Sequence, residues 1–317
     1  MLRTDGVGIV IAPLPVQTRR PSMKHFLLLL AAVSLTTWST AAAETPAEQL
    51  GWKLAVHSYT FQKFSIFDAI DKTAAMGVKY MSISGSVNLV DADGKIAKSS
   101  TITISDKDAA AITAHLKEKS ISPIFVNMGV VKPGIDEAES RKIFEGAKRL
   151  GIDVLVAEPE THNKMEELGP VMDVVEKLAK EYNIKVAIHN HPGPNNFYWQ
   201  PETVLAAVQG RSPLLGACAD VGHWVRSRLD PVECLKKLEG RVITLHFKDL
   251  NEPGPRAHDV PWGTGISNAK GMLAELKRQH FKGAICVEYE YNWDNSVPEI
   301  AESAKWFNAT CAELVRP

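Results

Sequence analysis

Eight times between residues 54 and 315, a short apolar run of strand character gives way to a segment of helical periodicity. The strand readings are 54–61, 78–85, 121–128, 153–159, 185–191, 215–223, 241–250 and 283–290. The helical readings are 67–77, 106–120, 136–151, 166–183, 201–210, 230–240, 268–280 and 298–315. They rest on the switch between a period of two and a period of 3.6. Punctuation agrees with them. Gly77 and Gly240 end helical segments, where a left-handed residue is wanted. Pro201 and Pro231 open others, where a missing N–H costs nothing, and Pro170 is expected in the first turn of its own helix. Asp230 and Ser105 stand as N-caps, with Asp108 three residues beyond Ser105. Strict alternation of this kind requires parallel strands with each helix crossing back over the sheet. Eight such units predict an α/β fold, a closed (β/α)8 TIM barrel, as a single domain over residues 44–317. The rival is an open doubly wound sheet, which carries a glycine-rich turn after its first strand; HSYTFQKF at 57–64 is not one.

Residues 1–43 are set apart from this fold as a leader and signal peptide. The run KHFLLLLAAVSLTTWSTAAA (24–43) has a polar start, an apolar centre and an A-x-A end, the pattern of a secretory signal. Export to the periplasm or beyond is the expectation, with no stable membrane span after cleavage; an uncleaved anchor is the alternative. Lys and Arg (36) nearly balance Asp and Glu (37), and no basic run interleaves with aromatics, which argues against nucleic-acid binding. Four cysteines form no C-x-x-C pair and read as buried free thiols.

Polar residues gather where such a barrel converges its side chains, at the C-terminal strand ends. His57 lies near the end of the first strand and Glu158 ends the fourth. His189 and His191 share one face of the fifth, and Asp220 ends the sixth with His223 just beyond. His246 and Lys248 share a face of the seventh, as Glu288 and Glu290 do on the eighth. So much polarity in one cavity is destabilising without a partner. One divalent metal ion would satisfy several acids and imidazoles at once. Mixed His and carboxylate donors suit Mn, Co, Zn, Ni or Fe better than Ca. Trp199, Trp224 and Trp262 fall in loops after the fifth, sixth and seventh strands, and read as a stacking platform for sugar rings or as burial against the barrel mouth. Arg226 and Arg228 follow His223, placed to orient hydroxyls or to be solvated. The loop 251–266 contains PWGTG (261–265), read as a turn rather than a phosphate cradle.

The stretches D-V-G-H-W (220–224), L-H-F-K-D (245–249), V-E-Y-E (287–290) and I-H-N-H-P (188–192) resemble the xylose isomerase-like TIM-barrel superfamily. More closely, they are similar to its exported sugar phosphate isomerase/epimerase branch, with 3-keto-glycoside lyases or hydratases and ketose 3-epimerases among its relatives. The likeness spans roughly residues 50 to 315. It implies one divalent metal held from strands five to eight by Glu, Asp, His and Glu. Asp220, His246 and Glu288 match the last three, and His189 stands where the first would be Glu. By the resemblance, either His189 ligates in its place or Glu158 reaches across from strand four.

The resemblance further implies proton abstraction beside a carbonyl with stabilisation of an enediolate. Glu288 is then the expected base, with Glu158, His191 or Lys248 as acid on the other side and His57 and His223 at the substrate. Loss of the fifth-strand glutamate weakens two-base epimerisation and suits β-elimination from a small-molecule sugar or keto-glycoside, with epimerisation and aldose–ketose isomerisation kept beside it. A metal-pinned sugar-binding barrel without catalysis and a metal-dependent hydrolase of the endonuclease IV type are the alternatives.

Overall fold

The computed structural model describes residues 44–91, 93–127 and 132–316, so the proposed leader and signal lie outside the described residues. Among these, eight parallel strands close into a barrel. They are β1 (Trp52–His57), β2 (Tyr80–Ser84), β3 (Ser122–Asn127), β4 (Val154–Ala157), β5 (Lys185–His189), β6 (Leu215–Asp220), β7 (Val242–Phe247) and β8 (Gly283–Val287). Each pairs with its sequence neighbours, and β8 returns to β1 in a register running from Trp52 opposite Gly283 to Val56 opposite Val287.

The helices after the eight strands are Ile66–Ala75, Asp106–Glu118, Glu137–Arg149, Met165–Tyr182, Pro201–Val208, Pro231–Lys237, Ala269–Arg278 and Val297–Leu314. Their ends obey the sequence punctuation. The Ser105 side chain accepts from the Asp108 N–H, and Asp230 accepts from Val232 and Glu233. Gly77 adopts φ +73° just past the first barrel helix. Pro170 departs from expectation. It is the sixth residue of Met165–Tyr182, beyond the first turn, because the helix starts from an N-cap at Lys164 ahead of the segment's first glutamates. That helix buries Leu168, Val171, Met172, Val175, Leu178 and Ala179, one face at a spacing of three and four. With burial of each such large side chain contributing about 1.5–3 kcal/mol, helix-to-barrel packing is the main source of cohesion.

Two features differ from the sequence reading. Seven of the strands end before the last residue expected of them, and the expected end of β3 falls outside the described residues. After β1 the chain tightens into a 3₁₀ turn, Ser58–Phe61, and after β6 it enters a short helix, Val221–Arg226. Glu158, His191, His223, Lys248, Glu288 and Glu290 therefore lie past the hydrogen-bonded ladder, while His57, His189, Asp220 and His246 stay in it. An antiparallel hairpin, Ser86–Val90 with Ile96–Ser100, is also inserted between β2 and its helix. A two-residue ribbon pairs Asp249–Leu250 with Asp259–Val260. All four cysteines are buried and free. No helix among the described residues is long and apolar enough to cross a membrane.

Candidate metal centre and active site

Register brings the polar strand ends together. Asp220 on β6 lies directly opposite His246 on β7, and His246 lies opposite Cys286, two residues before Glu288. Asp220 is fixed from two sides. The Asn190 amide donates to the Asp220 carbonyl and accepts from its N–H, both at 2.9 Å. Its own Oδ1 accepts from His223 N–H at 2.9 Å and so caps the helix Val221–Arg226. That leaves Oδ2 aimed into the mouth, 2.7 Å from Lys248 Nζ, 3.4 Å from His223 Nε2 and 3.5 Å from His189 Nε2.

Lys248 is 0% exposed. Its ammonium also donates to Glu288 Oε2 at 2.8 Å and Glu290 Oε2 at 2.9 Å. Burial alone would strip the proton, but Asp220, Glu288 and Glu290 hold it well above the usual lysine range. Gly222 makes this packing possible. A Cβ there would sit 2.6 Å from Lys248 Cδ and 2.7 Å from its Cβ. Gly222→Ala should therefore destabilise the barrel by about 1–3 kcal/mol, as overpacking does. Denaturant unfolding reads this directly; a variant as stable as the parent would mean that the lysine stem has room to move aside.

Four residues, His189, Asp220, His246 and Glu288, each present one donor atom, all within 4.8 Å of one another. His189 Nε2 and His246 Nδ1 face each other at 3.2 Å, and His246 Nδ1 is 3.0 Å from Glu288 Oε2 and 3.9 Å from Asp220 Oδ2. Donors about 2.0–2.2 Å from one ion stand at such separations. Two imidazole nitrogens turned on each other, with two acids beside them, fit a shared divalent cation of the kind that takes mixed nitrogen and oxygen donors. Burial works against the charge on both acids. The Lys248 ammonium, 2.7 Å from Asp220 and 2.8 Å from Glu288, nevertheless keeps both ionised.

Glu158 does not join this group. Its Oε1 stands behind His189, 3.5 Å from Nδ1, and is 2.5 Å from His191 Nδ1. Burial raises its pKa, but the two imidazoles bring it down to about 2. Burial would keep His189 neutral; Asp220 and Glu158 raise it to about 10. Burial depresses His57 to about 3 and His223 well below the usual imidazole range, so both are neutral at pH 7.

A cavity of about 230 Å³ opens over the cluster. His57, His191, His223, Glu288 and Glu290 line it, as the sequence placed them, together with Tyr59, Ser84 and Lys98. The last three carried no sequence signal, and Lys98 arrives on the unforeseen hairpin. The tryptophan platform is not met. Trp224 and Trp262 are each 1% exposed, and Trp262 packs edge-on against Phe247 and Phe307 in the helix layer. Trp199 is half-buried and lines a different cleft with Asn163, Phe197 and Thr203. Indole faces in these loops are worth more buried than wet, and the mouth itself is lined by smaller polar groups. Arg226 is not solvated; it donates to Glu290 at 2.8 Å and Asp259 at 3.0 Å. The PWGTG loop wraps its own acid: Gly263 and Gly265 N–H groups donate to Asp249 Oδ2 at 2.9 and 3.0 Å.

A family model described as xylose isomerase-like TIM barrel matches residues 70–310. An inosose dehydratase of Clostridium tetani is 32% identical over 147 residues, 41% of this chain and 48% of that protein. The chain thus matches about half the length of that curated relative. An uncharacterised protein from Parabacteroides distasonis, solved by crystallography, is 34% identical with a TM-score of 0.62, covering 81% of this chain and 98% of its own. The IolI protein crystallised with a zinc atom has the same fold, at 19% identity and a TM-score of 0.60, over 82% of this chain and 98% of its own. A match that runs from the first barrel helix to the last makes the assignment plain: this chain belongs to the xylose isomerase-like TIM barrel family.

Proposed function

We propose that this chain is a divalent-metal-dependent carbohydrate enzyme that eliminates water or an alcohol from a keto-sugar. One observation carries the reading. Glu288 and His191 line the same cavity from strands three places apart around the barrel, beside a buried four-donor cluster. When bound by His189, Asp220, His246 and Glu288, a divalent ion supplies Lewis-acid polarisation of a carbonyl. The protein's own groups handle the protons. The Glu288 carboxylate accepts the proton from the carbon beside the carbonyl. His191, the imidazole most open to the cavity, gives a proton to the departing β-oxygen. Lys248 fixes the base through its 2.8 Å contact. The products are an unsaturated ketone and water or an alcohol.

His189 in place of a fifth-strand carboxylate removes the second base that epimerisation would use, which favours elimination. The likeness to inosose dehydratases supports the same choice, and the zinc in the IolI structure supports a metal in this barrel. We further place the protein outside the cytoplasm, on the strength of residues 24–43, and its substrate among unphosphorylated sugars or glycosides.

Incubating metal-loaded protein in D₂O with inososes and 3-keto-glucosides tests this. The expected product is an enone lacking one water or alcohol, seen by NMR and mass, abolished by chelation and restored by Mn or Co. A product isomeric with the substrate, inverted beside the carbonyl and carrying one deuterium there, would make the protein an epimerase. Neither product nor deuterium exchange with any keto-sugar would leave only a binding barrel.

A further inference from the structure

We infer that Glu158 is a positioning residue for the metal centre: its carboxylate takes the Nδ1–H of His189 and thereby turns the Nε2 lone pair toward Asp220, His246 and Glu288. This rests on the metal-dependent reading of the site. An imidazole presents a lone pair from one nitrogen only, and the partner of the other nitrogen decides which. His189 Nε2 faces the four-donor group, 3.2 Å from His246 Nδ1 and 3.5 Å from Asp220 Oδ2. His189 Nδ1 faces Glu158 Oε1 at 3.5 Å. Both of those atoms are buried; His189 Nδ1 has no nearer partner, and Glu158 Oε1 otherwise meets only His191 Nδ1. Were Nδ1 unprotonated, two lone pairs would confront each other away from water, which is costly. A proton on Nδ1 satisfies both atoms and makes Nε2, which faces the donor group, the nitrogen whose proton a cation would replace.

Glu158 is built to stay in place. It is 7% exposed, just past β4, where Ala157 pairs with Ile188 immediately before His189. Its Oε1 also meets His191 Nδ1 at 2.5 Å, and the Tyr198 hydroxyl donates to the Pro159 carbonyl at 3.0 Å, pinning the next residue. Carboxylate partners of metal-bound imidazoles commonly raise ligand strength in this way. The same three groups, Glu158, His189 and His191, also have the makings of a second cation site, and stoichiometry separates the two roles.

The test measures Mn and Zn binding to wild type, Glu158→Ala and Glu158→Gln by chelator competition, with circular dichroism confirming the fold. Wild type should bind one ion per chain. Glu158→Ala should weaken binding by about 10–100-fold with one ion still bound at saturation. Glu158→Gln, whose amide oxygen can still accept from Nδ1–H, should weaken it less. In the metal-free protein, long-range ¹H–¹⁵N spectra should show Nδ1–H at His189 and lose that signature in Glu158→Ala. Two ions on wild type and one on Glu158→Ala would overturn the inference and make Glu158 a ligand. Wild-type binding with an unmoved Glu158→Ala affinity would overturn it alone. A wild type that binds no divalent ion would overturn the metal reading and this inference together.

Discussion

Glu288→Gln should lower kcat by about 10²–10⁴-fold while moving KM little. The substitution keeps the side chain's shape and an acceptor oxygen for Lys248, 2.8 Å away, and for His246, 3.0 Å away. What it removes is the capacity to take a proton. Equal falls in kcat and kcat/KM are the signature of an interaction made only in the transition state. Metal content measured alongside separates loss of the base from loss of the ion. Deuterium incorporation beside the carbonyl should vanish with turnover. Full turnover in a metal-replete variant would move the base to another wall of the cavity, with His223 the next group to replace.

The barrel was legible because its information is local. Each strand is a short apolar run closed by glycine, proline or a cap, and each helix repeats at three and four, as in Leu168, Val171, Met172 and Val175. The polar strand ends were legible because a period of two places His189 and His191, or Glu288 and Glu290, on one face. Where strands stop was not. An apolar run continuing into Asp-Val-Gly-His looks like a longer strand, and only the Asp220 cap on the next helix shows that it has ended. The hairpin 86–100 escaped notice because its second strand, Ile96–Ser100, buries nothing and so carries no alternating pattern. With it went Lys98.

Ligand choice between Glu158 and His189 depended on which side of an imidazole each acid occupies, a matter of register between β4, β5 and β6 that no single segment encodes. The tryptophans misled for a different reason. Loop position suggests exposure, but Trp262 folds back onto Phe247 and the closing helix.

Asp220→Asn should cost the metal-free fold about 3–5 kcal/mol, the usual penalty for stranding a buried charge. Asparagine retains the Oδ1 acceptor that caps Val221–Arg226, and the Asn190 lock holds only the Asp220 backbone, so neither is lost. The change is at Oδ2, where a carboxylate 2.7 Å from the fully buried Lys248 ammonium is replaced by an amide. Asp220→Ala should add roughly 0.5–2 kcal/mol for the missing cap. Either variant removes one of four donors, so metal affinity should fall further than the 10–100-fold expected for an outer carboxylate. Replacing Lys248 by Met in the Asp220→Asn background removes the stranded ammonium. Denaturant unfolding in chelator should then show most of the stability restored, while metal titration shows no recovery. That division would assign two duties to one acid, balancing a buried lysine and holding an ion. If Asp220→Asn alone proves as stable as wild type, Glu288 and Glu290 suffice to balance Lys248, and the acid is there for the ion alone.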